Sequence, residues 1–114
     1  LSIYRVGQFF IISVPSEFTT MAGRRLRNAV RAKLIEGGAP DDCVVVIAGL
    51  ADSYSSYTAD FEEYQAQRYE AASTIFGPYQ HAAYVQEYEK LATALMTGNG
   101  PSYPKGPSPP DLSG

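Results

Sequence analysis

Two periodicities alternate along this chain. Ser2 to Val6 and Phe9 to Val14 are short apolar-rich runs separated by Gly7-Gln8, which predicts two strands joined by a tight turn. Ala22, Leu26, Val30 and Leu34 then recur at every fourth position and predict an amphipathic helix from about Thr20 to Glu36. Gly37-Gly38 supplies its stop. After Ala39-Pro40-Asp41-Asp42, the run Cys43 to Ala48 is unbroken and β-branched, the pattern of a strand covered on both faces. Asp60-Phe61-Glu62-Glu63 has the form of a capping box, in which Asp60 accepts from the amide three residues on and Glu63 reaches back. That signature predicts a helix running to about Thr74, ending before Gly77-Pro78. A last helix, about Gln80 to Met96, carries Tyr84, Tyr88, Leu91 and Leu95 on one stripe and stops at Gly98-Asn99-Gly100-Pro101. The order is ββαβαα, an α/β arrangement containing a βαβ unit whose crossover should be right-handed.

That unit carries an expectation about chemistry. In open α/β sheets, ligands gather beyond the carboxyl ends of strands, where loops converge and helix N-termini supply oriented donors. Val14-Pro15-Ser16-Glu17 leaves one such end, and Gly49-Leu50 leaves the next, releasing Tyr54-Ser55-Ser56-Tyr57. Glu17 and Tyr57 are therefore expected at one edge of the sheet, with their side-chain oxygens converging. On residue chemistry alone, Glu17 is either a helix-entry carboxylate at the positive end of the macrodipole or a ligand-binding acid. Tyr57 either covers apolar surface or acts chemically, with Tyr54 as its rival three residues earlier. Tyr64 and Tyr69 are five apart, about 140° round a helix, so one packs in the core while the other can meet a site.

Composition narrows the setting. The chain has 114 residues, enough for at most one small domain or for a piece of a larger one. It opens on Leu1-Ser2-Ile3-Tyr4 with no initiator Met or signal-like stretch, and residues 98–114 hold five of the eight prolines. Both features favour a piece, with 1–97 as its folded part and 98–114 as a Pro/Gly/Ser-rich linker. The net charge of −3 is spread over intermixed acids and bases, so no nucleic-acid surface is expected. The longest apolar run is far below the ~20 residues that a bilayer span needs. The single cysteine, Cys43, excludes an internal disulfide and reads as a small core hydrophobe. Nine tyrosines accompany no tryptophan, and seven of them fall between Tyr54 and Tyr88, so that region is built from rings with polar tips.

Arg24, Arg27 and Arg31 form a basic stripe that reads as a solvated face, with anionic-lipid contact second. Arg24-Arg25 oppose the macrodipole at a helix start, so a carboxylate partner is expected on a part of the domain outside this chain. His81, the only histidine, reads as a surface or packing residue. Ser73-Thr74 show no paired base and are set aside as nucleophiles.

Val14-Pro15-Ser16-Glu17-Phe18-Thr19-Thr20-Met21-Ala22-Gly23-Arg24-Arg25, together with Glu62-Glu63-Tyr64-Gln65-Ala66-Gln67-Arg68-Tyr69-Glu70-Ala71-Ala72-Ser73-Thr74 and Gly77-Pro78, resembles the neutral (alkaline, non-lysosomal) ceramidase family. The likeness runs from about Val6 to about Leu95. It implies the C-terminal part of the catalytic domain of a zinc hydrolase that splits the amide bond of ceramide into a sphingoid base and a fatty acid. By the same resemblance Glu17 is a zinc ligand, and Tyr57, opening a Tyr-x-Thr-Thr-x-Glu-Glu-Tyr element, reaches the zinc through its phenol oxygen. Tyr69 would be a donor to the substrate carbonyl or its tetrahedral intermediate. Two further histidine ligands are implied upstream of Leu1. The implied partners are ceramide or a related N-acyl sphingolipid, a membrane surface as its source, and the remainder of the catalytic domain, in a secreted or cell-surface enzyme. The chain departs from the pattern at Ser16, where Gly or Ala is usual, at Ala59-Asp60 in place of Thr-Thr, and at Tyr79, where a histidine often follows Gly-Pro. The isolated segment should be inactive. Two other functions fit the residues: a non-catalytic binding or structural module on the same scaffold, and an amidase for another N-acyl lipid.

Overall fold

A computed structural model describes residues 1–66, 68–100 and 103–114. The chain begins with a hairpin, β1 (Ser2–Val6) and β2 (Phe9–Ser13), turned at Gly7, whose φ of 63° lies in the region that favours glycine. Helix α1 (Thr20–Glu36) crosses to β4 (Val44–Ala48), which runs parallel to β2 in the register Phe9↔Val44 to Ser13↔Ala48. The sheet order is β1-β2-β4. Between these elements lie two strands of only two residues, β3 (Glu17–Phe18) and β5 (Tyr57–Thr58), which pair with each other in a separate parallel ladder. Helix α2 (Phe61–Tyr64), helix α3 (Tyr69–Ala72) and the long helix α4 (Gln80–Met96) complete the order.

The expected ββαβαα order holds for its main elements except that the middle helix is split, and both long helices occupy the spans read from their periodicity. The four α1 positions that recur by fours, Ala22, Leu26, Val30 and Leu34, are fully buried. Leu26, Val30 and Leu34 pack with Phe10, Ile12 and Val45 from the sheet, with Val14 just after β2, and with Tyr88 and Ala92 from α4. Thr19 caps α1 by accepting from the Ala22 amide at 3.2 Å, and Gly38, at φ 105°, ends it. Gly37 is needed for a different reason: a Cβ there would lie 2.5 Å from the Cβ of Met96, so the end of α4 rests directly on its backbone.

One expectation about the fold is corrected. The helix read from Asp60 to Thr74 is two short helices, with the chain extended at Arg68 between them. Gln67 of the expected helix, like Pro101 of the expected stop after α4, lies outside the described residues. The capping box is present, with Asp60 accepting from the Glu63 amide at 2.8 Å and Glu63 accepting from the Asp60 amide at 3.0 Å. An unbroken helix of that length would rise about 20 Å and carry Ser73 away from β5. Breaking it lets the Ser73 carbonyl accept from the Tyr57 amide at 3.3 Å and Thr74 Oγ1 accept from the Ala59 amide at 3.0 Å. Within this segment the sheet is covered on one face only. Both long helices pack on one face of the sheet, against Phe10, Ile12 and Val45. The alternate positions Tyr4, Val6, Phe9, Ile11, Val44 and Val46 share the other face by register, and four of them are exposed.

Candidate functional site

The two-residue ladder decides what meets at the sheet edge. In it Glu17 is the direct cross-strand partner of Tyr57, and Phe18 of Thr58. Its backbone frame is closed by the Glu17 amide donating to the Ser56 carbonyl at 2.9 Å and the Thr19 amide donating to the Thr58 carbonyl at 3.0 Å. Beneath it runs a buried polar chain whose direction follows from its members. Ser16 Oγ donates to the Ser56 carbonyl at 2.7 Å, so in its 2.7 Å contact with Thr58 Oγ1 it must accept. Thr58 Oγ1 in turn accepts from Gln80 Nε2 at 2.7 Å, and the same amide nitrogen donates to the Tyr57 carbonyl at 3.0 Å. Helix α4 thus holds β5, and β5 holds the stretch that carries Glu17.

Tyrosines surround the Glu17 carboxylate. Tyr54 donates its phenol hydrogen to Glu17 Oε2 at 2.6 Å. Tyr69, the first residue of α3, sets its ring edge-on to that of Tyr57 with centroids 5.2 Å apart. Tyr69 is 69% exposed, so it is not a core tyrosine here, and it shares no helix with Tyr64. The hydrogen bond to Glu17, with partial burial and the carboxylate charge, pushes the Tyr54 phenol up to about 12. Burial first, and then the Glu17 charge, raises Tyr57 as well. Both shifts favour the protonated phenol, the opposite of what a nearby cation would do. An open depression of about 610 Å³ lies over this edge, walled among others by Glu17, Tyr57, Glu63, Arg68 and Glu70. Arg68 was not singled out by the sequence; its one signal is its place beside Tyr69.

The other candidates fall elsewhere. His81 is buried, its Nε2 lies 2.8 Å from the Ala22 carbonyl, and its ring meets Phe18 edge-on at 6.0 Å. Its open side lines a separate groove with Arg25, Lys33 and Lys90. Cys43 is a buried free thiol just before β4. Thr74 is buried and structural, donating to the Glu70 carbonyl at 2.8 Å. Arg25 finds its carboxylates within the chain: Glu62 at 2.6 Å and Asp60 at 3.5 Å, which corrects the expectation of a partner in another part of the domain. Arg31 of the basic stripe donates to the Asp41 and Cys43 carbonyls and ties the end of α1 to the loop before β4.

As a donor set, the edge offers one carboxylate and phenol oxygens. Carboxylate oxygen is an accepted zinc ligand at about 2.0–2.2 Å, so these residues suit part of a zinc sphere. Among the described residues no group of three or more His, Cys, Asp and Glu is placed to hold a metal.

The sequence model described as neutral/alkaline non-lysosomal ceramidase, N-terminal, matches residues 1–86. The chain belongs to this family. Because the matching model is that of the family's N-terminal domain, residues 1–86 are assigned there, and the expected label of a C-terminal part gives way to it. Among ceramidases, the chain is 55% identical to neutral ceramidase 2 of Arabidopsis thaliana over 98% of its own length. It is 50% identical to neutral ceramidase B of Dictyostelium discoideum over all of its length. In each case it spans only 15% of the relative. The crystal structure of neutral ceramidase from Pseudomonas aeruginosa superimposes with a TM-score of 0.88 at 40% identity, covering 97% of this chain and 17% of that one. A solved structure described as ceramidase complexed with C2 matches equally well, with a TM-score of 0.88. The α/β fold of this ceramidase segment is thereby established.

Proposed function

We propose that this segment supplies one wall of the active site of a zinc-dependent ceramidase, which hydrolyses the N-acyl amide bond of ceramide to a sphingoid base and a fatty acid. The observation that carries the reading is the ladder that pairs Glu17 with Tyr57 at the sheet edge, in a chain of this family. Glu17 and Tyr57 would hold the zinc through oxygen, with histidines from the rest of the protein completing the set. A bound zinc supplies Lewis acidity to the amide carbonyl and lowers the pKa of water to the range where hydroxide is available.

The chain's own residues have three tasks. Glu17 presents an anionic oxygen at a position fixed by backbone hydrogen bonds on both sides. Tyr57, in protonated form, can donate to negative charge developing on the substrate carbonyl. Tyr69, against the Tyr57 ring, is a second donor for the same charge and an apolar wall that excludes water. The substrate would reach the site from a membrane surface, and the segment by itself would be inactive because its ligand set is incomplete. Residues 98–114 serve as a linker, a reading supported by their prolines and by exposed, irregular backbone from Pro104 onward.

The test is metal analysis and ceramide hydrolysis in the intact protein. Glu17→Ala should lose zinc and activity together. His81→Ala should cost stability, since His81 is buried and bonded to Ala22, yet keep zinc in every folded molecule. A zinc-free but folded His81→Ala protein would refute the assignment.

A further inference from the structure

Tyr54 stands on a loop built at some conformational cost. Three non-glycine residues in it adopt positive φ: Leu50 at 54°, Asp52 at 70° and Ser56 at 66°. L side chains resist that region, and such residues persist only where the surroundings hold them. Here the holding contacts run to the segment that carries Glu17. The Ala51 amide donates to the Val14 carbonyl at 2.9 Å, and the Ser55 amide donates to the Pro15 carbonyl at 2.7 Å. Ser55 Oγ donates to the same Pro15 carbonyl at 2.8 Å and so accepts from the Tyr84 phenol at 3.0 Å. Asp52 accepts from Ser13 Oγ at 2.5 Å. The backbone on both sides of Tyr54 is therefore pinned to residues 13–17, and the one long side chain between the pins ends 2.6 Å from Glu17 Oε2. A phenol that is more than half exposed would ordinarily sample several rotamers, so a short charge-assisted bond at this point reflects the pinned loop.

We propose that Tyr54 is a positioning residue: its phenol clamps one oxygen of Glu17 so that the carboxylate is presented to a metal through the other. The proposal rests on the reading of Glu17 as a zinc ligand. Outer hydrogen bonds to a ligating carboxylate fix its rotamer before the metal arrives, and their loss typically weakens metal binding 10- to 100-fold. Tyr57 and Tyr54 thereby take different roles: Tyr57 shares the ladder with Glu17, whereas Tyr54 reaches the carboxylate from the loop.

The experiment uses the intact zinc-loaded protein and variants Tyr54→Phe, Tyr57→Phe and Glu17→Ala. Zinc release to a chelator of known affinity is followed, with circular dichroism of the metal-free forms as the check on folding. Tyr54→Phe should keep the fold and bind zinc about 10- to 100-fold more weakly, while Glu17→Ala should bind essentially none. Wild-type zinc affinity in Tyr54→Phe, beside a zinc-free Glu17→Ala, would overturn the positioning role and leave the zinc reading intact. A Tyr54→Phe protein as zinc-free as Glu17→Ala would overturn it too, because Tyr54 would then itself be a ligand. Full zinc retention by Glu17→Ala would refute the underlying reading and the proposal with it.

Discussion

The buried chain from Ser16 through Thr58 to Gln80 makes a prediction about coupling. Ser16→Ala removes the acceptor that the Thr58 hydroxyl uses, at a position with no solvent exposure. The Ser56 carbonyl keeps its bond from the Glu17 amide, so the stranded group is the Thr58 hydroxyl alone. A buried donor left without a partner costs about 1–3 kcal/mol. Thr58→Val leaves Ser16 its bond to Ser56 and Gln80 its bond to the Tyr57 carbonyl, but strands the second N–H of the Gln80 amide. It should therefore also cost about 1–3 kcal/mol. Replacing both removes the polar pair together and should cost no more than Thr58→Val alone. The two changes are therefore expected to be non-additive by about 1–3 kcal/mol, the whole cost of Ser16→Ala. The readout is local: native-state exchange of the Glu17, Thr19 and Tyr57 amides, which reports the opening free energy of the ladder even in a large protein. Strict additivity, or a Ser16→Ala protein with unchanged exchange, would refute the directed chain of donors.

Two further outcomes are expected. Gly37→Ala would ordinarily stabilise a helix end by about 0.4–1 kcal/mol, but the new methyl would overlap Met96 Cβ, an atom fixed to backbone, and overpacking costs about 1–3 kcal/mol; net destabilisation in chemical unfolding checks the close approach of α1 and α4, and a more stable variant would show that they stand further apart. Tyr69→Phe should leave folding and zinc content intact while lowering kcat about 10²- to 10³-fold, with Tyr64→Phe nearly silent; equal small effects at both positions would deprive Tyr69 of a chemical role.

What the residues disclosed, and what they withheld, follows the length of each signal. Helix α1 declared itself through four positions at one spacing, and α4 through its aromatic and leucine stripe, because seventeen residues give a period room to repeat. The capping box was legible because it is local. The pairing of β3 with β5 left no pattern, since two residues have no alternation to read. The break between α2 and α3 was equally hidden: helix-forming residues continue through it, and tertiary bonds from Tyr57 and Ala59 impose it. The βαβ logic brought Glu17 and Tyr57 to one edge but not Tyr54 to the carboxylate, because the aim of that side chain depends on the positive φ of Asp52 and Ser56, at residues that are not glycine.

The one-sided packing of the sheet has a practical consequence for anyone who handles this segment. Tyr4 and Val6 are 53% and 70% exposed, Phe9 and Val44 are 38% and 49% exposed, and Ile11 and Val46 lie between them. Contiguous apolar surface of that kind is an aggregation liability in water, and the edge strands β1 and β4 add unpaired backbone groups beside it. Expressed alone, residues 1–114 should partition into inclusion bodies or bind hydrophobic dyes strongly. Polar replacements at Val6 and Val44 would be the first changes to make for a tractable fragment, since neither side chain takes part in the buried cluster behind the sheet.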